Sequence, residues 1–150
     1  MHTEKTIDAL NELVEINNDR IVGYQTALKE TEDTDLHKLF TNFLLTSEQN
    51  NTSLKSEIFK LNNEPETGTK NTGKLHRLWM DFKALVTNNN RASILSSCEF
   101  GDDTALKTYE DVLNSNLENL SASHQNMISE QMADIRKEYT QIVNLQEQAA

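Results

Sequence analysis

The chain has 150 residues and a net charge of −10, with 36% hydrophobic and 25% charged residues. A chain this acidic lacks the basic surface that nucleic acids and anionic lipids require, so we expect neither as a partner. No apolar run approaches the ~20 residues of a membrane span, the opening MHTEKTIDAL lacks the apolar region of a secretory signal, and the single cysteine, Cys98, excludes an internal disulfide. We therefore expect a cytoplasmic protein that folds as one domain over residues 1–150.

Apolar residues recur every three or four positions along four stretches, which is typical of amphipathic α-helices. We predict that the first helix begins at about Thr6, the second near Asp33 or Thr34, and the third at about Arg91, and that the fourth runs through Ile128 to Leu145. We predict that residues 62–73, with the only proline, form a loop, and that KLHRLWMDFKALV after it forms a shorter helix. Short links favour helical hairpins, and the long central link lets helices two and three run parallel. The sequence thus predicts an all-α, ferritin-like antiparallel four-helix bundle, with a long crossover carrying a short extra helix between helices 2 and 3.

Polar residues interrupt each apolar seam near the middle of its helix. In the first helix the predicted seam passes through Asn17, Ile21 and Tyr24. Asp19 and Arg20, beside Asn17, either join the polar residues inside the bundle or face solvent. Together the interruptions predict one polar layer inside the bundle, made of Asn17, Ser47, Asn50, Asp102, Gln131 and Glu138.

In ferritin-like di-iron proteins such a layer is the metal site, with a Glu from two helices and a Glu-x-x-His from each of the other two. No histidine of this chain has a glutamate three residues before it, so the motif is absent. Of the positions that correspond by spacing, only Asp102 and Glu138 carry good ligands for hard metals. Three interpretations stay open: a hydrogen-bonded network that fixes helix register, weak binding of one divalent cation by Asp102 and Glu138 with Asn17, and a di-metal oxidase.

Other residues have structural and functional interpretations side by side. We expect Cys98 to be a buried structural residue, and Tyr24 and Tyr109 to hydrogen-bond into the core or serve in redox chemistry. His37 and His124 lie near helix starts and are expected at the surface or in helix caps.

The crossover carries a separate group of residues. We expect one of two roles for His76, Trp79 and Lys83: a docking face for a partner, or packing of Trp79 over the bundle with polar neighbours at its rim.

Three stretches carry a resemblance to a known family: LNELVEINNDRIVGY, GKLHRLWMDFK and CEFGDDTALKTYEDVL. They resemble a bacterial family of ferritin-like bundles of unknown function, and we expect the resemblance to cover essentially the whole chain. The resemblance implies a ferritin-like fold, a cytoplasmic setting and no assigned activity. It also implies that the acidic helix around Asp102 formed one side of a metal site that has since been lost.

The sequence contains no nucleophile elbow, P-loop or Cys-x-x-Cys motif. Because of the family resemblance and the missing Glu-x-x-His motif, we expect a non-enzymatic structural or interaction protein, which forms a homodimer or binds another protein. One alternative is a degenerate metal-binding protein that holds Fe, Mn or Zn with Asp102 and Glu138. Another is a small-ligand carrier with a pocket near Ser47 and Ala105.

Overall fold

A computed structural model describes residues 3–61 and 90–149 of the chain. Within these ranges the chain forms four long α-helices and no strand, as the all-α prediction requires. The helices are α1 (Thr3–Glu30), α2 (Thr34–Lys60), α3 (Arg91–Ser115) and α4 (Ala122–Ala149), and a short 3-10 turn, Leu117–Asn119, lies between α3 and α4. The predicted loop and short helix, with His76, Trp79 and Lys83, lie outside the described residues.

The helix starts follow local capping chemistry. Helix α1 begins at Thr3, earlier than the predicted Thr6, and places Glu4 in its first turn, where a negative charge favours the helix. Helix α3 begins at Arg91 as predicted, because the side chain of Asn90 accepts a hydrogen bond from the backbone N–H of Ser93.

The helices contact one another as a ring in the order α1, α2, α4, α3. Helices α1 and α3 are antiparallel, since Thr6 near the start of α1 donates a hydrogen bond to the carbonyl of Asn119, beyond the end of α3. Helices α2 and α3 start at the same end of the bundle, where Arg91 pairs with Asp33 and Asp35 at 2.9 and 2.8 Å. Thus α2 and α3 run in one direction and α1 and α4 in the other.

Buried hydrophobic side chains from all four helices form one cluster along the bundle axis. Within this cluster the ring of Tyr24 packs on Phe40 and Phe43, with centroid distances of 5.4 and 5.5 Å. Burial of each such side chain contributes about 1.5–3 kcal/mol, so this cluster is the main source of stability. Within the described parts of the chain, none of the helices combines the length and apolar character that a membrane crossing needs.

The seam of α1 differs from the prediction at one position. Ile21 is only partly buried, whereas Arg20 is fully buried. Arg20 lies three residues after Asn17 and four before Tyr24, so these side chains share one face of the helix. A buried cation is stable only with partners, and the partners of Arg20 come from the other three helices.

Candidate functional site

An ionic layer, defined here as Arg20, Tyr24, Thr46, Ser47, Asp102 and Glu138, crosses the bundle at mid-length. Arg20 on α1 donates hydrogen bonds from Nε to Oδ1 of Asp102 on α3 at 3.0 Å and from Nη2 to Oε1 of Glu138 on α4 at 2.8 Å. Its Nη1 donates to the hydroxyl of Ser47 on α2 at 2.9 Å. One guanidinium therefore joins all four helices.

Every oxygen of the two carboxylates in this layer accepts a hydrogen bond. Oδ2 of Asp102 accepts from the hydroxyl of Tyr24 at 2.8 Å, and Oε2 of Glu138 accepts from the hydroxyl of Thr46 at 2.5 Å. The remaining two oxygens accept from Arg20. Buried carboxylates require such partners because an unpaired charge in the core is strongly destabilising.

The charges in the ionic layer do not balance, since one guanidinium faces two carboxylates. Burial has the largest single effect and would lower the pKa of Arg20, but the attractions of Asp102, Tyr24 and Glu138 together outweigh it and leave the pKa above its ordinary value. Arg20 is therefore a permanent cation. Burial raises the pKa of Glu138 above its ordinary value of 4.5, and the attraction of Arg20 offsets only part of that rise.

An amide layer, defined as Asn17, Asn50, Tyr109 and Gln131, lies next to the ionic layer. Its residues are three positions from the nearest ones of the ionic layer along α1 and α2, and seven positions away along α3 and α4. Asn17 Nδ2 donates to the Tyr109 hydroxyl at 2.7 Å, and this hydroxyl donates to Oε1 of Gln131 at 2.8 Å. Gln131 Nε2 donates to the backbone carbonyl of Asn50 at 3.3 Å, and Asn50 Nδ2 donates to Oδ1 of Asn17 at 3.3 Å. The result is a closed, uncharged ring that takes one residue from each helix.

The structure brings together all six polar residues that the seams indicated, in two adjacent layers instead of one. Arg20, which we left open between core and solvent, is the centre of the ionic layer. The sequence signal for the burial of Arg20 was its spacing, three residues after Asn17 and four before Tyr24. Asp19, the other residue left open, is also buried.

The residues of the ionic layer do not fit a di-metal centre. Among residues 3–61 and 90–149, no group of three or more His, Cys, Asp and Glu side chains could hold a metal ion. The guanidinium of Arg20 lies between Asp102 and Glu138 and uses one oxygen of each. Binding of one cation by this pair stays a prediction, and it would require displacement of Arg20.

The buried thiol and hydroxyls near the ionic layer are in their neutral forms. Burial, and then the charge of Asp102, raises the pKa of the Cys98 thiol, so the sulfur lacks thiolate character. Burial likewise raises the pKa values of Tyr24 and Tyr109, which keeps both hydroxyls available as donors. The expectation that both tyrosines hydrogen-bond into the core is confirmed.

Ser47 and Ala105, the expected walls of a ligand pocket, are both fully buried. The hydroxyl of Ser47 contacts Arg20, so the guanidinium takes space beside it. The ligand-carrier hypothesis stays a prediction.

The two described histidines that we considered lie at opposite ends of the bundle, one on α2 and the other on α4. His37, in the first turn of α2, is exposed and its Nε2 lies 2.7 Å from the carbonyl oxygen of Thr31. His124 is less exposed than expected, and its Nε2 lies 3.2 Å from Oε1 of Glu57, which links α4 to α2 beside a surface cavity of about 340 Å³. Neither histidine reaches the ionic layer.

The fold and the two layers define an all-helical bundle protein with a polar centre. The chain belongs to the family described as "Domain of unknown function (DUF2383)", whose sequence profile matches residues 5–115. The match ends at the last residue of α3, so it is shorter than the whole-chain resemblance that we expected. A comparison with curated proteins gave no match.

Proposed function

We propose that this protein is a cytoplasmic, ferritin-like four-helix bundle that works as a non-enzymatic structural or interaction protein. The observation that carries the proposal is the set of bonds made by Arg20, which uses both carboxylates that a metal would need. In this proposal the buried cation of an arginine replaces a metal centre as the link between helices.

The helix directions support the ferritin-like part of the proposal. Helices α2 and α3 start at the same end of the bundle, and ferritin-like folds have this arrangement because one long connection separates two helical hairpins. Fold analogy does not specify a function, so the proposal depends on the chemistry of the two layers.

Metal content tests the non-metal part of the proposal. The parent protein, without a tag, would be incubated with Fe(II), Mn(II) and Zn(II), desalted, and measured by mass spectrometry. A matched pair of variants would follow: Asp102→Asn/Glu138→Gln in the ionic layer, and Asp103→Asn/Glu110→Gln on exposed carboxylates. We expect no stoichiometric metal in any of the three proteins.

Stoichiometric metal in the parent that is lost only from Asp102→Asn/Glu138→Gln would refute the proposal. It would establish the alternative, a degenerate metal-binding bundle that uses Asp102 and Glu138. An assay of Fe(II) oxidation by the same samples would then decide whether the metal is catalytic.

Association tests the interaction part of the proposal. Light scattering during size-exclusion chromatography, over a hundredfold range of protein concentration, would measure the molar mass. A mass that rises to twice the monomer value is the expected result for a homodimer. A constant monomer mass at every concentration would remove the homodimer and leave a different protein as the partner.

A further inference from the structure

The ionic layer has the shape of a binding site for a guanidinium group. We infer that Asp102, Glu138 and Ser47 form a guanidinium-selective site, in which Arg20 is a built-in ligand that holds the four helices together. The inference rests on the proposed function and deepens it, because it names the cation that the site takes.

The directions of the hydrogen bonds favour a planar group over a single ion. The three acceptors meet three different nitrogen atoms of Arg20, at 2.8 to 3.0 Å. A metal ion or an ammonium group is one point of charge, and its ligands must converge on that point. Acceptors that surround the three nitrogens of a guanidinium do not converge in this way.

The aromatic side of the layer favours the same group. The Cζ atom of Arg20 lies 5.1 Å from the centroid of the Tyr24 ring. Tyr24 is held there by its hydrogen bond to Asp102 and by its packing on Phe40 and Phe43. A weakly hydrated, planar cation gains more from such an aromatic surface than an ammonium ion does.

Chemical rescue tests the inference. Arg20→Ala removes the side chain and leaves the carboxylates of Asp102 and Glu138 without their cation. Millimolar methylguanidinium would be added to this variant and its thermal unfolding midpoint measured. Above the Kd, each tenfold increase in concentration should raise the midpoint by roughly 3–6 °C, because binding to the folded state alone stabilises it.

The controls separate the guanidinium group from charge and salt. Methylammonium at the same ionic strength, Mn(II) and Zn(II) should raise the midpoint of Arg20→Ala much less than methylguanidinium does. A matched variant, Arg91→Ala, removes an arginine whose pairs with Asp33 and Asp35 are partly exposed to solvent, and methylguanidinium should leave its midpoint unchanged.

Two results would overturn the inference: a folded Arg20→Ala protein that methylguanidinium does not stabilise, or one that a metal or methylammonium stabilises equally well. If Arg20→Ala is unfolded, recovery of helical circular dichroism on addition of methylguanidinium supports the inference. If helicity does not return, NMR of the parent decides. Separate, slowly exchanging Nη signals of Arg20 support a guanidinium held at three nitrogens, and averaged signals refute it.

The failure of this inference and that of the proposed function are distinguishable. Stoichiometric metal bound by the parent would refute the proposed function, whatever the rescue experiment shows. A folded Arg20→Ala protein that methylguanidinium does not stabilise, together with a metal-free parent, would refute only the guanidinium-selective site.

Discussion

Removal of the charge of Arg20 should be among the most destabilising single changes in this chain. Arg20→Met keeps much of the side-chain volume and removes all three hydrogen bonds to Ser47, Asp102 and Glu138. It leaves two carboxylates, of which one is fully buried and the other is 10% exposed, without a cation.

The expected loss follows from these buried partners. Removal of one member of a buried ion pair costs about 3–5 kcal/mol, because the remaining charge is left uncompensated in the core. For a domain of this size each kcal/mol lowers the thermal midpoint by about 2–4 °C, so the midpoint should fall by roughly 6–20 °C.

Urea unfolding measures this loss, since guanidinium chloride would supply the ion under study. The comparison is Arg20→Met against Arg20→Met/Asp102→Asn/Glu138→Gln, which also removes both negative charges while it keeps their shape. The triple variant should recover part of the lost stability, because no unpaired charge remains. A loss below about 1 kcal/mol in Arg20→Met, or a triple variant no more stable than the single one, would refute the electrostatic reasoning.

Three further predictions concern other parts of the two layers and the surface. Because the pKa of Glu138 is raised in the folded protein, its contribution to the free energy of unfolding is complete below pH 4.5 and is lost as the pH rises through the folded pKa. Glu138→Gln should therefore make the urea midpoint depend less on pH above pH 4.5 than it does in the parent. Tyr109→Phe opens the amide layer and should cost about 1–3 kcal/mol, against less than about 0.5 kcal/mol for the partly exposed control Tyr139→Phe; equal losses would contradict a role for the hydroxyl. Arg91→Ala should cost at most about 1 kcal/mol, and high salt should abolish most of the difference from the parent, because its ion pairs with Asp33 and Asp35 are partly exposed to solvent.

The helices were predictable from sequence because their signals are local. A three-and-four spacing of apolar residues marks each seam, and the cap at Asn90 accounts for the start of α3 at Arg91. The polar interruptions were visible for the same reason. Their burial follows from their place within the seams.

The role of Arg20 was harder to predict because it depends on the other three helices. Positions 20 and 21 both lie between Asn17 and Tyr24, and hydrophobicity alone favours Ile21 in the seam. Only the carboxylates of Asp102 and Glu138, 82 and 118 residues away in sequence, make a buried arginine stable at this position. The heights of the four helices relative to one another separate the polar residues into two layers, and these heights are not contained in the periodicity of any one helix.

The two layers together explain why polar groups occupy the middle of an otherwise apolar bundle. An apolar seam tolerates a shift of one helix along its neighbour by a turn, since one hydrophobic contact replaces another. Here such a shift of α3 would separate Asp102 from Arg20 and Tyr109 from Asn17 at once. Each group left unpaired in the core costs about 1–3 kcal/mol, and a charged group costs more. The ionic layer and the amide layer thus add a penalty for every wrong register, which a core of leucine and isoleucine alone does not supply.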